Sequence, residues 1–132
     1  MRSAALLASS IAMAVPNPPD GITPVRLEIS ASDAPETTLL VLVGELDIAS
    51  APALERALEN LAPSLPHRLV IDLTEVSFMD STGLRALLLA HQRTQASRQE
   101  LVLRPGPRQV QRVFELSGTI ERFMFEDPPA AG

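Results

Sequence analysis

The sequence contains no cysteine, tryptophan, tyrosine or lysine; all 11 of its basic residues are arginine. Each absence removes a class of chemistry. Without Cys there is no disulfide, no thiolate nucleophile, no iron–sulfur cluster and no Cys-type zinc site, and the redox compartment is left unspecified. Without Lys, neither a Schiff base nor a Walker-A phosphate lysine can be built. Metal ligands are equally scarce. The two histidines, His67 and His91, stand 24 positions apart and form no HxH or HExxH pattern, so neither a metal nor a cofactor is expected. Aromatic residues make up 3% of the chain and hydrophobic residues 45%, so a core has to be filled mainly by Leu and Val. At 132 residues, against a prior of about 100–200 residues per domain, the chain reads as one domain.

The formal net charge of −5 argues against nucleic acid or insertion into an anionic membrane as the main business of the surface. Its distribution is uneven. Residues 36–80 carry eight acids and two arginines, whereas residues 81–125 carry seven arginines and three acids, so the sign reverses near position 80. Ordinary solvated faces and a functional surface both remain open as explanations.

Both ends differ from the middle. Residues 1–23 are Ala-rich and close on Pro16, Pro18 and Pro19; they read as a disordered extension to a cytoplasmic protein. The run Ala4–Val15 with its Ala12-Met13-Ala14 step also resembles a short secretory signal, but it has one flanking charge and is interrupted by Ser9-Ser10. It is too short to span a bilayer. Residues 127–132, ending in Pro-Pro-Ala-Ala-Gly, read as a disordered tail, which leaves residues 24–126 as the folded domain.

Within that domain the pattern is regular. Val25–Ser30 alternates apolar and polar residues, the period of a strand with one wet face, and Leu39–Val43 is an apolar run closed by Gly44. With turn chemistry at Asp33–Glu36 between them, the two read as a hairpin. Ser50 is a candidate cap for a helix near Pro52 in which Leu54, Ala57, Leu58 and Leu61 share a face, ending before Pro63. Leu69-Val70-Ile71 reads as a buried strand and Ser77–Gly83 as its exit loop into a second helix striped by Leu84, Leu87, Leu88 and His91. Leu101–Leu103 is a further strand. Pro107 opens a third helix, with Val110, Val113 and Phe114 facing inward and Gly118 as its C′ residue, and Arg122–Phe125 is a last strand. The expected class is α/β: a mixed, mostly parallel sheet with an N-terminal β-hairpin and helices packed on it, in the order β-β-α-β-α-β-α-β.

One segment carries chemistry. Strand exits into helix N-termini gather backbone N–H groups and the positive end of the helix dipole; here that place reads Ser77-Phe78-Met79-Asp80-Ser81-Thr82-Gly83-Leu84. Small residues around Ser81 leave its hydroxyl open, although Asp80 or Ser81 could equally be no more than the helix cap. A serine hydrolase does not fit. Its elbow needs Gly-x-Ser-x-Gly, and Met79 stands where the first Gly must be. His67 precedes the strand, on its wrong side, and His91 lies ten residues along the helix, roughly 15 Å from Ser81 at 1.5 Å per residue, so it reads as a packing residue at the core boundary. Asp47, Asp72 and Asp80 could meet at one sheet edge, but no nucleophile and base accompany them. No enzymatic activity is expected.

Five blocks in order, Gly44-Glu45-Leu46-Asp47, Ala51-Pro52-Ala53-Leu54, Val70-Ile71-Asp72-Leu73, Val76–Leu84 and Val113-Phe114-Glu115-Leu116-Ser117-Gly118, resemble the STAS domain family, and more narrowly its bacterial anti-sigma-factor antagonists. The resemblance covers about residues 24–126. It implies a binding protein without enzymatic activity. Such an antagonist binds an anti-sigma factor that is also a serine kinase and so releases the sigma factor; phosphorylation of the serine before Thr/Ser-Gly switches it off, and a PP2C-type phosphatase restores it. Carried onto this sequence, the resemblance implies Ser81 as phosphoacceptor, Asp47 and Asp80 flanking the kinase-binding surface, and Thr82, Gly83 and Leu84 completing it. The alternative within the family is an accessory or scaffold module of a stress-signalling or lipid-transport complex. The short Pro-rich end leaves a final C-terminal helix in question.

Overall fold

The computed structural model describes residues 27–34, 36–61 and 67–128; the extension at 1–23 and the end of the tail at 129–132 lie outside the described residues. Strands β1 (Leu27–Ala34) and β2 (Thr37–Leu46) form the hairpin, and helix α1 (Ala51–Leu61) follows. Then come β3 (Arg68–Met79), α2 (Ser81–Ala96), β4 (Glu100–Arg104), α3 (Arg108–Ser117), a 3₁₀ turn at Ile120–Arg122 and β5 (Met124–Phe125). The strands lie in sequence order, β1-β2-β3-β4-β5; β1 is antiparallel to β2 and every later pair is parallel. This is the expected mixed sheet, with helices making the crossovers that parallel neighbours require.

Strand alternation decides where the core sits. Leu27 and Ile29 of β1, Leu40 and Leu42 of β2, Leu69, Ile71 and Leu73 of β3, and Leu101 and Leu103 of β4 form one buried cluster with Leu54 of α1, Leu87 of α2 and Phe114 of α3. Successive side chains on a strand point to opposite faces, so all three helices pack on the same face of the sheet. Phe114 anchors the far end of that layer, its ring 5.4 Å from Phe123 and 5.3 Å from Phe125 in near-perpendicular contacts. The other face carries charge. Arg68 pairs with Glu100 and Glu126, and Arg104 with Glu126 and Asp72, so one carboxylate just past β5 ties the start of β3 to the end of β4.

Three local expectations are corrected. β2 does not close at Gly44 but runs on to Leu46, with Gly44 at φ 125°. β3 does not give way to a loop at Ser77; it continues to Met79, and α2 starts at Ser81. The reason is two irregularities in register: from Val41 to Val43 the partner advances from Asp72 to Glu75, and from Gly44 to Glu45 it advances from Val76 to Phe78. Each puts one extra residue into β3. The β3 positions that reach the helix-side core are therefore Leu69, Ile71, Leu73, then Val76 and Met79, a spacing that no longer reads as a strand of period 2. Finally, the last strand is only Met124–Phe125, because Ile120–Arg122 winds into the 3₁₀ turn; among the described residues no helix follows it.

Candidate functional site

The carboxyl ends of β2 and β3 lie side by side, Leu46 opposite Met79, and the chain leaves each into a helix. Both exits are capped by aspartate. At the first, Asp47 accepts the N–H groups of Ala49 and Ser50 at 3.0 and 3.1 Å, while the Ser50 hydroxyl accepts the Asp47 N–H at 3.0 Å and donates to the Glu45 carbonyl at 2.7 Å. The two side chains thus close reciprocally the turn that precedes Ala51, the first residue of α1. Ser50, the expected cap, turns its hydroxyl back to Asp47 and Glu45, and Asp47 is buried at 7% exposure.

At the second exit Asp80 is the N-cap of α2, in extended conformation, and its Oδ1 accepts the N–H groups of Thr82 and Gly83 at 2.9 and 3.0 Å. Ser81 is the first helical residue and is exposed. Because Asp80 takes the capping role, the Ser81 hydroxyl is left without a protein partner among the described residues. The two exits are locked together by the Asp80 N–H, which donates to the Leu46 carbonyl at 3.3 Å. Gly83 makes that approach possible: a Cβ there would lie 2.4 Å from the Leu46 carbonyl oxygen and 2.8 Å from Leu46 Cγ. Leu84 points into the core and is buried, and Thr82 is half-buried.

The residues named from the sequence therefore separate by exposure. Ser81 faces solvent with Thr82 and Asp80 partly so, whereas Asp47, Gly83 and Leu84 are buried under it and hold its shape. Asp72 does not join Asp47 and Asp80 at the sheet edge. It sits mid-strand opposite Val41, accepts hydrogen bonds from the Thr74 N–H and hydroxyl, and pairs with Arg104. His67 is exposed at the other end of β3, and His91 packs its half-buried ring 5.5 Å from Phe123. No group of three or more His, Asp or Glu side chains able to hold a metal occurs among the described residues.

Sequence reasoning missed two exposed apolar residues on these exits. Three of the chain's four phenylalanines form the Phe114–Phe123–Phe125 cluster; the fourth, Phe78, is 47% exposed two residues before Asp80. Ile48, one residue beyond Asp47 in the adjacent exit, is 73% exposed. Phe78 and Ile48 thus put large apolar side chains into water on the same two exits that carry Asp80 and Asp47. The sequence places Phe78 in the Ser77–Gly83 exit loop, with no pattern that marks its exposure.

With this geometry in view, comparison with known proteins is informative. The family model described as "STAS domain" matches residues 28–130. An anti-sigma-B factor antagonist of Listeria monocytogenes is 37% identical over 94 residues, 71% of this chain and 82% of the relative. The crystal structure of an anti-sigma factor antagonist from Mycobacterium paratuberculosis superposes with a TM-score of 0.67 at 27% identity, over 87% of this chain and 92% of that one. The structure of the Bacillus cell fate determinant SpoIIAA in its phosphorylated form superposes with a TM-score of 0.62 at 20% identity, over 77% of this chain and 92% of that one, and shows the same fold. A five-stranded mixed sheet with helices on one face, carrying these motifs through residues 28–130, belongs to the STAS domain family.

Proposed function

We propose that the chain is an anti-sigma-factor antagonist: a cytoplasmic binding protein that sequesters an anti-sigma factor serine kinase, frees the sigma factor, and is switched off when that kinase phosphorylates Ser81. A PP2C-type phosphatase returns it to the active form. The observation that carries this reading is the uncommitted, exposed Ser81 hydroxyl at the start of α2, on an exit that Asp80 caps and ties to the end of β2. The names of the relatives support the partner class, and a neighbour of the same fold is described as phosphorylated.

The switch needs no change of fold. A phosphate on Ser81 adds about −1.5 to −2 charge at the positive end of α2, where the helix tolerates it. The bound partner does not. The added charge, beside Asp80 and inside a fitted apolar contact, is both repelled and desolvated, and burying a charge that the partner does not pair costs about 3–5 kcal/mol, weakening binding by roughly 150- to 4,000-fold.

The test is incubation with an anti-sigma factor kinase of the same genome and ATP, mass mapping of the product, and binding of that kinase to wild type, Ser81→Ala and Ser81→Asp. Phosphate on Ser81 and loss of binding in Ser81→Asp alone are expected. If Ser81→Asp stays folded and binds as tightly as Ser81→Ala, the electrostatic switch is wrong; intact binding with no phosphate on Ser81 would instead favour the scaffold or accessory role.

A further inference from the structure

Ser81 and Arg85 are four residues apart on α2, and both are exposed. Helical residues at this spacing are neighbours on the surface, with Cβ atoms about 5–6 Å apart, and an anion one turn N-terminal to a cation is the favourable order. The Arg85 guanidinium has no carboxylate partner among the described residues, unlike Arg68, Arg93 and Arg104, which are all paired. An uncommitted cation therefore stands one turn from an uncommitted hydroxyl.

Two of the backbone donors at this turn are already committed. The Thr82 and Gly83 N–H groups at the start of α2 are already taken by Asp80, so a phosphate on Ser81 would have to displace that carboxylate to use them. Its own charge adds to that of Asp80. A forked side chain that binds phosphate oxygens two at a time, anchored on the same helix, is the group that fits the need.

We propose that Arg85 is the phosphate-holding residue of this switch: once Ser81 is phosphorylated, the guanidinium folds back along α2 and binds the phosphate oxygens. This rests on Ser81 being the phosphoacceptor. It adds that the modified state has its own counter-ion within the chain, which keeps the first turn of α2 formed and draws the phosphate along the helix rather than leaving it free to find a cation on the partner.

The test places phosphoserine at position 81 during translation, in otherwise wild-type, Arg85→Gln and Arg85→Lys chains, and follows the second ionisation of the phosphate by ³¹P NMR. Free phosphoserine has this pKa near about 6. An adjacent cation favours the dianion, and an i,i+4 pair of the usual strength corresponds to a shift of about 0.15–0.4 pH units. The wild-type chain is expected to titrate lower than Arg85→Gln by that amount, with Arg85→Lys recovering part of the difference and about 1 M salt erasing most of it. Equal titration of wild type and Arg85→Gln would overturn the proposal. Failure of the switch itself is distinguishable, because it appears as undiminished binding of the kinase to the phosphorylated wild-type chain while the Arg85-dependent shift persists.

Discussion

Replacing Gly83 by alanine tests the packing beneath Ser81 through the sign of the stability change. On an ordinary helix this substitution gains up to about 1 kcal/mol, because glycine is the poorer helix former. At Gly83 the added Cβ would sit 2.4 Å from a backbone oxygen and 2.8 Å from a branched carbon of Leu46. Normal contact therefore requires the start of α2 to retreat from β2 by roughly 1 Å, and overpacking of this kind costs about 1–3 kcal/mol. The same retreat stretches the bond from the Asp80 N–H to the Leu46 carbonyl, already 3.3 Å, at a further cost of about 0.5–1.5 kcal/mol. After the full propensity gain the net loss is about 0.5–3.5 kcal/mol. Urea titration of both proteins would show a lower midpoint with an unchanged slope, and a melting temperature lower by roughly 3–12 °C. Because Asp80 and Ser81 move with the helix, kinase binding should weaken in parallel. If Gly83→Ala were as stable as the parent or more so, the close approach that defines the rim would be refuted.

Phe78→Ala should weaken binding of the anti-sigma factor by at least tenfold, as an aromatic at an interface centre does, while leaving the melting temperature within about 2 °C, because the ring is half in water; calorimetric titration and a thermal melt separate the two. Asp80→Ala removes the acceptor for the Thr82 and Gly83 N–H groups, and is expected to cost about 1 kcal/mol in a chemical melt. The carboxyl of Glu126 is held below its ordinary range, first by the hydrogen bond that Arg68 donates, then by Arg104. Its contribution is therefore full above the unfolded value of about 4.3 and is lost as pH falls through the lower folded value. Since both Arg68 and Glu126 keep roughly a third of their side-chain surface in water, Glu126→Gln should cost only about 0.5 kcal/mol at pH 7, and stability measurements down the pH scale should show this difference closing below the ordinary Glu range.

The sequence by itself determined the fold class and the identity of the exposed hydroxyl. Leu54, Ala57, Leu58 and Leu61 recur at helical spacing, the apolar runs at 39–43, 69–71 and 101–103 alternate with such helices, and the small polar residues after Asp80 mark a helix start; these are local patterns, set by periodicity and capping, and they survive into the structure because tertiary contacts agree with them. What the tertiary structure alone decided depends on how separate segments meet. The two extra residues in β3 follow from pairing with β2, and they carry the strand on to Met79 while turning Phe78 outward. Parallel pairing likewise sets Leu46, at the end of β2, beside Met79, more than thirty positions away in the chain, and places Asp72 with Arg104 instead. Which acid caps, which serine is left free and which arginines find a carboxylate are matters of competition among neighbours in space, and no linear pattern records the outcome.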